Sequence, residues 1–295
     1  MYLAMHDWMR VEPIEAVLAR IKPLGYEAIE ISGDPERHDV GEIHGLLKKY
    51  EIRCFGGVTI MNGERNLMAR DEAQRARSVK YIKDCVTLVG DLGGEEMSVV
   101  PGTVGKIVPE SPAEDEWQFA VESLQEVYPH AQKCGVQMAI EPINRFETYF
   151  INRGDQALAL AEAVGPDCKV CLNTFHMNME EMDLYGTIRR CAPRLKDFHV
   201  ADNNRMAPGM GALDWPKVIE TLREVGYDGA LSAGFCAPVD RTPANPFPGA
   251  IERNPENIPE DQRKSFEEYG STVLSEKFHE HLVSTTARTL LPLIR

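Results

Sequence analysis

The sequence predicts a single (β/α)8 barrel. Short apolar runs alternate with longer amphipathic stretches along the whole chain, a pattern typical of parallel strands joined by crossover helices. About eight such units can be counted, and this number favours closure into a barrel. The 295 residues suit one large barrel, and no Gly/Ser-rich linker or change in composition divides them. We therefore predict one domain over residues 1–295.

The predicted strands are short apolar runs that lead into polar or glycine-bearing segments. They are Tyr2–Met5, Ala28–Ile31, Cys54–Val58, Met97–Val100, Gln137–Glu141, Val170–Leu172, Asp197–Val200 and Ala230–Ala233. The stretches with helical periodicity are Ile14–Ile21, Glu42–Tyr50, Ala73–Leu92, Glu114–Cys134, Asp155–Val164, Glu180–Arg190 and Trp215–Val225. Gly25, Gly135 and Gly226 each follow a helical stretch and precede a strand, as glycines that end helices do.

The segment after the eighth strand departs from this alternation. Residues 235–265 are predicted to form an extended loop, because Phe235–Asp261 is rich in Pro and Asn and exceeds the usual loop length. Such a loop suits a lid, a partner-binding loop or an ordered cap. A C-terminal amphipathic helix is predicted over 266–295, and its His279 and His281, with charged neighbours, are interpreted as surface residues.

Composition and charge exclude several classes of partner. Lys and Arg total 32 against 46 Asp and Glu, so the net charge of -14 repels nucleic acids and anionic membranes. The N-terminus shows no basic-then-apolar leader, and no segment approaches the roughly 18 apolar residues of a membrane span. Seven cysteines, mostly inside apolar runs, are typical of reduced thiols. We expect a cytoplasmic protein without nucleic-acid or membrane partners.

Candidate site residues stand at four predicted strand ends. Glu141, Asn173 and His199 carry polar groups there, whereas Gly234 carries no side chain. In barrels of this kind the carboxyl ends of the strands converge, so these positions should surround one point. Oxygen ligands with one imidazole suit Mn2+, Mg2+ or Co2+. Such an ion polarises a carbonyl while a carboxylate moves a proton on and off carbon, which is isomerase chemistry.

Four segments link the chain to a known family. They are Glu141-Pro-Ile-Asn-Arg-Phe-Glu147, Leu172-Asn-Thr-Phe-His-Met-Asn178, Asp197-Phe-His-Val-Ala-Asp-Asn-Asn-Arg205 and Gly226-Tyr-Asp-Gly-Ala-Leu231. In order and spacing the chain resembles the xylose-isomerase-like TIM barrels, and most of all their ketose 3-epimerase branch, the D-tagatose and D-psicose 3-epimerases. The match extends from residue 1 to about 235.

The resemblance implies roles for five residues. Glu141 is expected to be a metal ligand and one of two acid/base groups, and His199 a second ligand. Glu147, His176 and Arg205 are expected to hold the hydroxyls and the carbonyl of a sugar. The implied cofactor is a divalent cation, Mn2+ or alternatively Mg2+ or Co2+.

Two further residues follow the first strand at the mouth of the predicted barrel. His6 and Trp8 are candidates for contact with the sugar, because an aromatic face stacks on C–H groups. Plain packing is the alternative for both.

The chain departs from the family at two positions. The family has aspartate where this chain has Asn173, and a second catalytic glutamate, also a ligand, where it has Gly234. Asparagine still offers a carbonyl oxygen, whereas glycine offers nothing, so the site loses anionic charge and cation affinity. Asp240 or Glu252 would have to fold back from the long loop to substitute. Glu141 is then the remaining proton-transfer group.

Three functions remain open on the sequence alone. The leading one is a sugar isomerase or epimerase that binds a keto-sugar and forms a homo-oligomer. Its activity is expected to be weakened by Asn173 and Gly234. The second follows from Pro238–Pro246 and the extended tail, which resemble the larger subunit of bacterial C-glycoside deglycosidases. That resemblance implies carbon–carbon lyase chemistry on 3-keto C-glycosides and a small β-sandwich partner subunit. The third is a catalytically silent sugar-binding paralogue.

Overall fold

The protein is a closed barrel of eight parallel strands, ordered β1 to β8 around the ring, as predicted. The computed structural model describes residues 1–10, 12–237, 244 and 275–295. The strands are β1 (Tyr2–His6), β2 (Ala28–Gly33), β3 (Arg53–Thr59), β4 (Glu96–Val99), β5 (Gln137–Ile140), β6 (Lys169–Asn173), β7 (Leu195–Val200) and β8 (Ala230–Ala233). All eight overlap the predicted runs, and the chain forms a single domain.

Helices follow the strands and cover the outside of the barrel. They are α1 (Ile14–Ile21), α2 (Val40–Tyr50), α3 (Glu72–Asp91), α4 (Ala113–Cys134), α5 (Gly154–Val164), α6 (Thr174–Glu180), α7 (Leu184–Cys191), α8 (Trp215–Glu224) and α9 (Glu276–Ile294). The predicted helix Glu180–Arg190 is wrong at its start, because Asp183 caps α7 by accepting a hydrogen bond from Gly186 N. The predicted loop over 235–265, including Asp240 and Glu252, lies outside the described residues except at 235–237 and 244.

Within the described ranges, no helix is long and apolar enough to span a bilayer.

Both faces of the strands are covered, which explains their almost continuous apolar character. The glycine corners are as predicted: Gly25, Gly135 and Gly226 have φ values of 86°, 73° and 75°, in the left-handed region that favours glycine.

The barrel interior contains three buried carboxylates that the sequence pattern did not single out. Glu30, Glu96 and Asp197 are each fully buried, and their ligand atoms lie within 4.8 Å of one another. Ser98 Oγ donates to Glu96 Oε1 at 3.0 Å, and Ser232 Oγ donates to Asp197 Oδ1 at 3.0 Å. Burial holds the pKa of Glu96 well above its ordinary value, so burial favours the protonated form of this carboxyl group.

The C-terminal helix corrects one prediction. His279 is only 2% exposed, and its Nε2 lies 4.0 Å from Glu12 Oε1, so its interpretation as a surface residue is wrong. The ring packs against Phe235, with centroids 5.8 Å apart. His281 is exposed, as predicted. The two histidines differ because only one face of α9 docks on the barrel.

The buried imidazole predicts acid-sensitive stability. Burial lowers the pKa of His279 from 6.5 to about 3, so the ring is neutral in the folded protein at pH 5, whereas an unfolded chain would be protonated. The unfolding free energy should therefore fall as pH drops below 6.5, by up to about 1.4 kcal/mol per unit from this group. Melting temperatures from pH 7 to 5 should decline less steeply in His279→Gln than in wild type or His281→Gln. An unchanged slope in His279→Gln would contradict this.

Candidate active site

One cavity collects every site residue predicted from the sequence. It has a volume of about 300 Å3 and opens at the carboxyl ends of the strands. The predicted residues that line it are His6, Trp8, Glu141, Glu147, Asn173, His176, His199, Arg205 and Gly234. Their individual roles stay predictions, but their convergence is a fact of the fold.

Glu141 follows β5 and is held by two neighbours. Its Oε1 accepts a hydrogen bond from Asn173 Nδ2 at 3.0 Å and lies 2.9 Å from His199 Nδ1. Burial alone would raise the pKa of Glu141, but His199 outweighs it and lowers the pKa to about 2. The carboxylate is therefore ionised at neutral pH.

Asn173 ends β6 and caps α6, a short helix that the sequence did not predict. Its Oδ1 accepts a hydrogen bond from Phe175 N at 3.1 Å, while its Nδ2 points at Glu141. A backbone N–H needs an acceptor, so the amide oxygen is committed to the helix cap and the NH2 group faces the site. Aspartate here would present an oxygen in both directions. The predicted role of Asn173 as a metal ligand would require its oxygen to turn away from the cap.

His199 ends β7 and lies among carboxylates on both sides of its ring. Its Nε2 is 2.8 Å from Asp197 Oδ2 and 3.3 Å from Glu30 Oε2, opposite the Nδ1 contact with Glu141. Burial disfavours the charged ring, but Cys171 and these carboxylates hold the pKa of His199 well above 6.5. The surroundings of the ring therefore favour its protonated form.

A second side of the cavity is a fixed polar wall. Arg205 Nη1 donates to Glu147 Oε1 at 2.8 Å, and Asn144 Nδ2 donates to the same oxygen at 2.8 Å. The guanidinium lies 4.8 Å from the centre of the Phe175 ring. Arg205 has a φ of 62°, an uncommon left-handed conformation for a residue with a side chain. The fold therefore holds this arginine in place at some cost in backbone strain.

His176 presents a donor to the cavity. Its Nδ1 accepts a hydrogen bond from Asn144 N at 3.1 Å, so the ring proton sits on Nε2. Burial lowers the pKa of His176 to about 4, which keeps the ring neutral. Nε2–H can then donate to a hydroxyl or carbonyl oxygen without adding a charge.

His6, at the end of β1, lies beside the predicted metal ligands. Its ring centre is 4.7 Å from that of His199 and 5.7 Å from that of Trp8. A Cβ atom at position 234 would come within 3.1 Å of His6 Nε2. His6 therefore fills the space into which a side chain at 234 would extend, and both His6 and Trp8 line the cavity.

Glu30 is the main residue that sequence reasoning missed. It stands in the middle of an apolar strand, and a charged residue in a fully buried parallel strand is itself a signal. Three groups of described residues bring metal-ligand atoms within 4.8 Å of one another. They are His6, Glu30 and His199; Glu141, Cys171 and His199; and Glu30, Glu96 and Asp197.

Comparisons with known proteins identify the relatives of this chain. The xylose isomerase-like TIM barrel family matches residues 18–268. The chain is 33% identical over 225 residues to an L-ribulose 3-epimerase of Mesorhizobium japonicum, covering 74% of each protein. It is 29% identical over 228 residues to a D-psicose 3-epimerase of Ruminiclostridium cellulolyticum, covering 72% of this chain and 75% of the relative.

Solved structures of similar fold are also epimerases. A crystal structure of D-psicose 3-epimerase with D-tagatose from Clostridium cellulolyticum superimposes with a TM-score of 0.81 at 20% identity, covering all of both chains. An L-ribulose 3-epimerase structure gives a TM-score of 0.82 at 22% identity, covering 99% of this chain and 94% of the other. With epimerases as its relatives, the chain is an enzyme of the isomerase/epimerase kind. It belongs to the xylose isomerase-like TIM barrel family.

Proposed function

We propose that this chain binds a keto-sugar in the cavity and exchanges a proton at the carbon beside the sugar carbonyl, as a ketose epimerase. The observation that carries the proposal is the shared cavity of Glu141 and the fixed wall of Glu147, His176 and Arg205. One side supplies an ionised carboxylate and the other supplies oriented donors. The named relatives act as epimerases of L-ribulose and D-psicose, which favours ketoses as substrates.

The polar wall suits sugar recognition. His176 Nε2–H and the Arg205 guanidinium are donors, and the Glu147 carboxylate is an acceptor. These groups are already hydrogen-bonded to each other or to Asn144, so little order is lost when a sugar replaces water. Trp8 lines the same cavity and offers an apolar face to the C–H groups of a sugar.

Glu141 is the proposed base. It is ionised at neutral pH, buried and fixed by two hydrogen-bonding neighbours, and a positioned carboxylate contributes about 10²–10⁴-fold to proton transfer. Its low pKa makes it a weak base, so the substrate C–H must be acidified. A divalent cation would supply that acidification by polarising the sugar carbonyl, and His199 is the ligand common to two of the candidate groups at the cavity.

The described lining contains one other carboxylate, Glu147, and it is paired with Arg205. Inversion at carbon requires a proton to leave one face and another to arrive at the opposite face. Because Gly234 supplies no second group, Glu141 should return most protons to the face from which it took them.

The expected result is hydrogen exchange that outpaces epimerisation. In D2O, nuclear magnetic resonance of D-psicose or L-ribulose should show deuterium at the carbon beside the carbonyl several-fold faster than the epimer accumulates. The matched control is Glu141→Gln, which keeps the shape of the side chain but cannot accept the proton. Equal rates of exchange and inversion would show that another group completes a two-sided mechanism, and no exchange would contradict the proposed function.

A sugar-binding protein without turnover is a second candidate. The committed amide oxygen of Asn173 and the missing side chain at Gly234 favour it. It predicts ketose binding by calorimetry with no deuterium exchange.

The C-glycoside deglycosidase alternative and its β-sandwich subunit depend on Pro238–Pro246, which lies outside the described residues apart from position 244. It stays a prediction of the sequence, as does the homo-oligomer.

A further inference from the structure

We propose that this chain holds a divalent cation with His6, Glu30 and His199, so that an imidazole at the end of β1 replaces the family's glutamate at the end of β8. The inference deepens the proposed function, because the ion would serve the same cavity. Its test measures the ion and not turnover, so the two proposals can fail separately.

The first argument is unsatisfied polarity. His6 is 3% exposed and Glu30 is fully buried. Among the described residues, neither His6 nitrogen has a hydrogen-bond partner, and Glu30 Oε2 has none either. His6 Nε2 and Glu30 Oε2 lie 3.1 Å apart, but not in the orientation of a hydrogen bond. Buried polar atoms without partners are costly, and a cation between these two would satisfy both.

The second argument is distance. His199 Nε2 lies 3.3 Å from Glu30 Oε2, and the ligand atoms of His6, Glu30 and His199 all fall within 4.8 Å of one another. Ligand atoms that each lie about 2.0–2.2 Å from one ion are separated by roughly 3–3.5 Å. The His6–Glu30 and His199–Glu30 separations already fall in this range. His6 and His199 also line the cavity, so the ion would face the substrate.

The third argument is the exchange between neighbouring strands. β1 and β8 pair in parallel with Met5 opposite Ala233, so His6 and Gly234 are the next residues along each strand. A Cβ atom at 234 would lie 3.1 Å from His6 Nε2. The imidazole of His6 therefore occupies the space that a side chain at position 234 would need.

The fourth argument explains Asn173. If the ion is bound to Nε2 of His199, then Nδ1 of the same ring carries a proton. This Nδ1 lies 2.9 Å from Glu141 Oε1 and would donate a hydrogen bond to it. Metal-bound histidines are commonly oriented by a carboxylate in this way. Asn173 Nδ2 donates to the same oxygen at 3.0 Å, a position where a second carboxylate would repel Glu141. If the ion lies nearer to His6 and Glu30 than in the family, this single change accounts for both Asn173 and Gly234.

The donors also indicate the class of ion. Two imidazoles and one carboxylate suit Mn2+, Fe2+, Co2+ or Zn2+ better than Mg2+, which prefers oxygen. Asp197 Oδ2, 2.8 Å from His199 Nε2, adds negative charge beside the site. This charge offsets part of what is missing at positions 173 and 234.

The test is a titration of Co2+ into the chelator-treated full chain, followed by calorimetry and by the visible absorption of the ion. We expect one ion per chain at micromolar or tighter affinity. His6→Ala and Glu30→Gln should each weaken binding by about 100-fold or more, because the loss of a direct ligand should exceed the roughly 10- to 100-fold loss typical of outer-shell changes. His38→Ala is the matched control, because it removes a half-buried imidazole that contacts Ser32 and Asp7 instead of the ligand set.

His6→Gln tests whether a loss of binding reflects misfolding, because glutamine fills a similar space but is a poor ligand. We expect its melting temperature to match that of the wild type and its Co2+ binding to be lost. The proposal is overturned by the absence of Co2+ binding at millimolar concentration. It is overturned equally by wild-type affinity in folded His6→Gln and Glu30→Gln. A loss of binding in Glu141→Gln that exceeds the loss in both of these variants would place the ion on the other side of His199, also against the proposal.

Discussion

Glu141→Gln should lower the rate of deuterium exchange into a bound ketose by about 10²- to 10⁴-fold, the usual contribution of a positioned base. The side chain is the one ionised carboxylate in the described cavity lining that is not paired with Arg205. Glutamine keeps an oxygen that can accept from Asn173 and His199, so the local hydrogen bonds survive. The measurement is the initial rate of deuterium incorporation at saturating D-psicose.

The control for this variant is ketose affinity. Calorimetry should show a similar Kd for wild type and Glu141→Gln, because the sugar-binding wall of Glu147, His176 and Arg205 is untouched. Unaltered exchange in the variant would remove Glu141 from the chemistry. A loss of both binding and exchange would instead assign Glu141 to recognition.

The architecture was predictable because it depends on local periodicity. Apolar runs in parallel strands and glycines at helix ends are visible in the sequence, and barrel closure follows from their number. Convergence of Glu141, His199 and Arg205 was predictable for the same reason, since strand ends in such a barrel share one rim. These inferences need the order of the elements and no side-chain geometry.

What the sequence could not supply depends on side-chain direction and on contacts across the ring. Glu30 is conspicuous as a charge within an apolar strand, but its partner is known only once the barrel places its carboxylate beside His199. His6 looks like a cavity-wall residue until closure of β1 on β8 places it against Gly234. The amide orientation of Asn173 follows from a cap on α6, a helix too short for its periodicity to be read.

Restoring the family residues should fail unless His6 is also changed. The double variant Asn173→Asp/Gly234→Glu places a carboxylate into the volume that the imidazole occupies, starting from a Cβ 3.1 Å from Nε2. We expect that variant to epimerise D-psicose no faster than wild type. Adding His6→Ala frees the space for a second acid/base group, and epimerisation should rise by about 10²-fold or more.

The same three changes should move the ion. His6→Ala alone removes a proposed ligand and should lose Co2+, whereas the triple variant gains carboxylates at 173 and 234, which line the same cavity as Glu141 and His199. Co2+ affinity should therefore recover in the triple variant while the absorption spectrum changes, because one imidazole nitrogen is exchanged for carboxylate oxygen. A double variant that matches the triple in rate would show that His6 and residue 234 do not compete for space. A folded triple variant without any gain would show that the missing groups at positions 173 and 234 do not limit the rate, and it would count against a chain silenced by their loss.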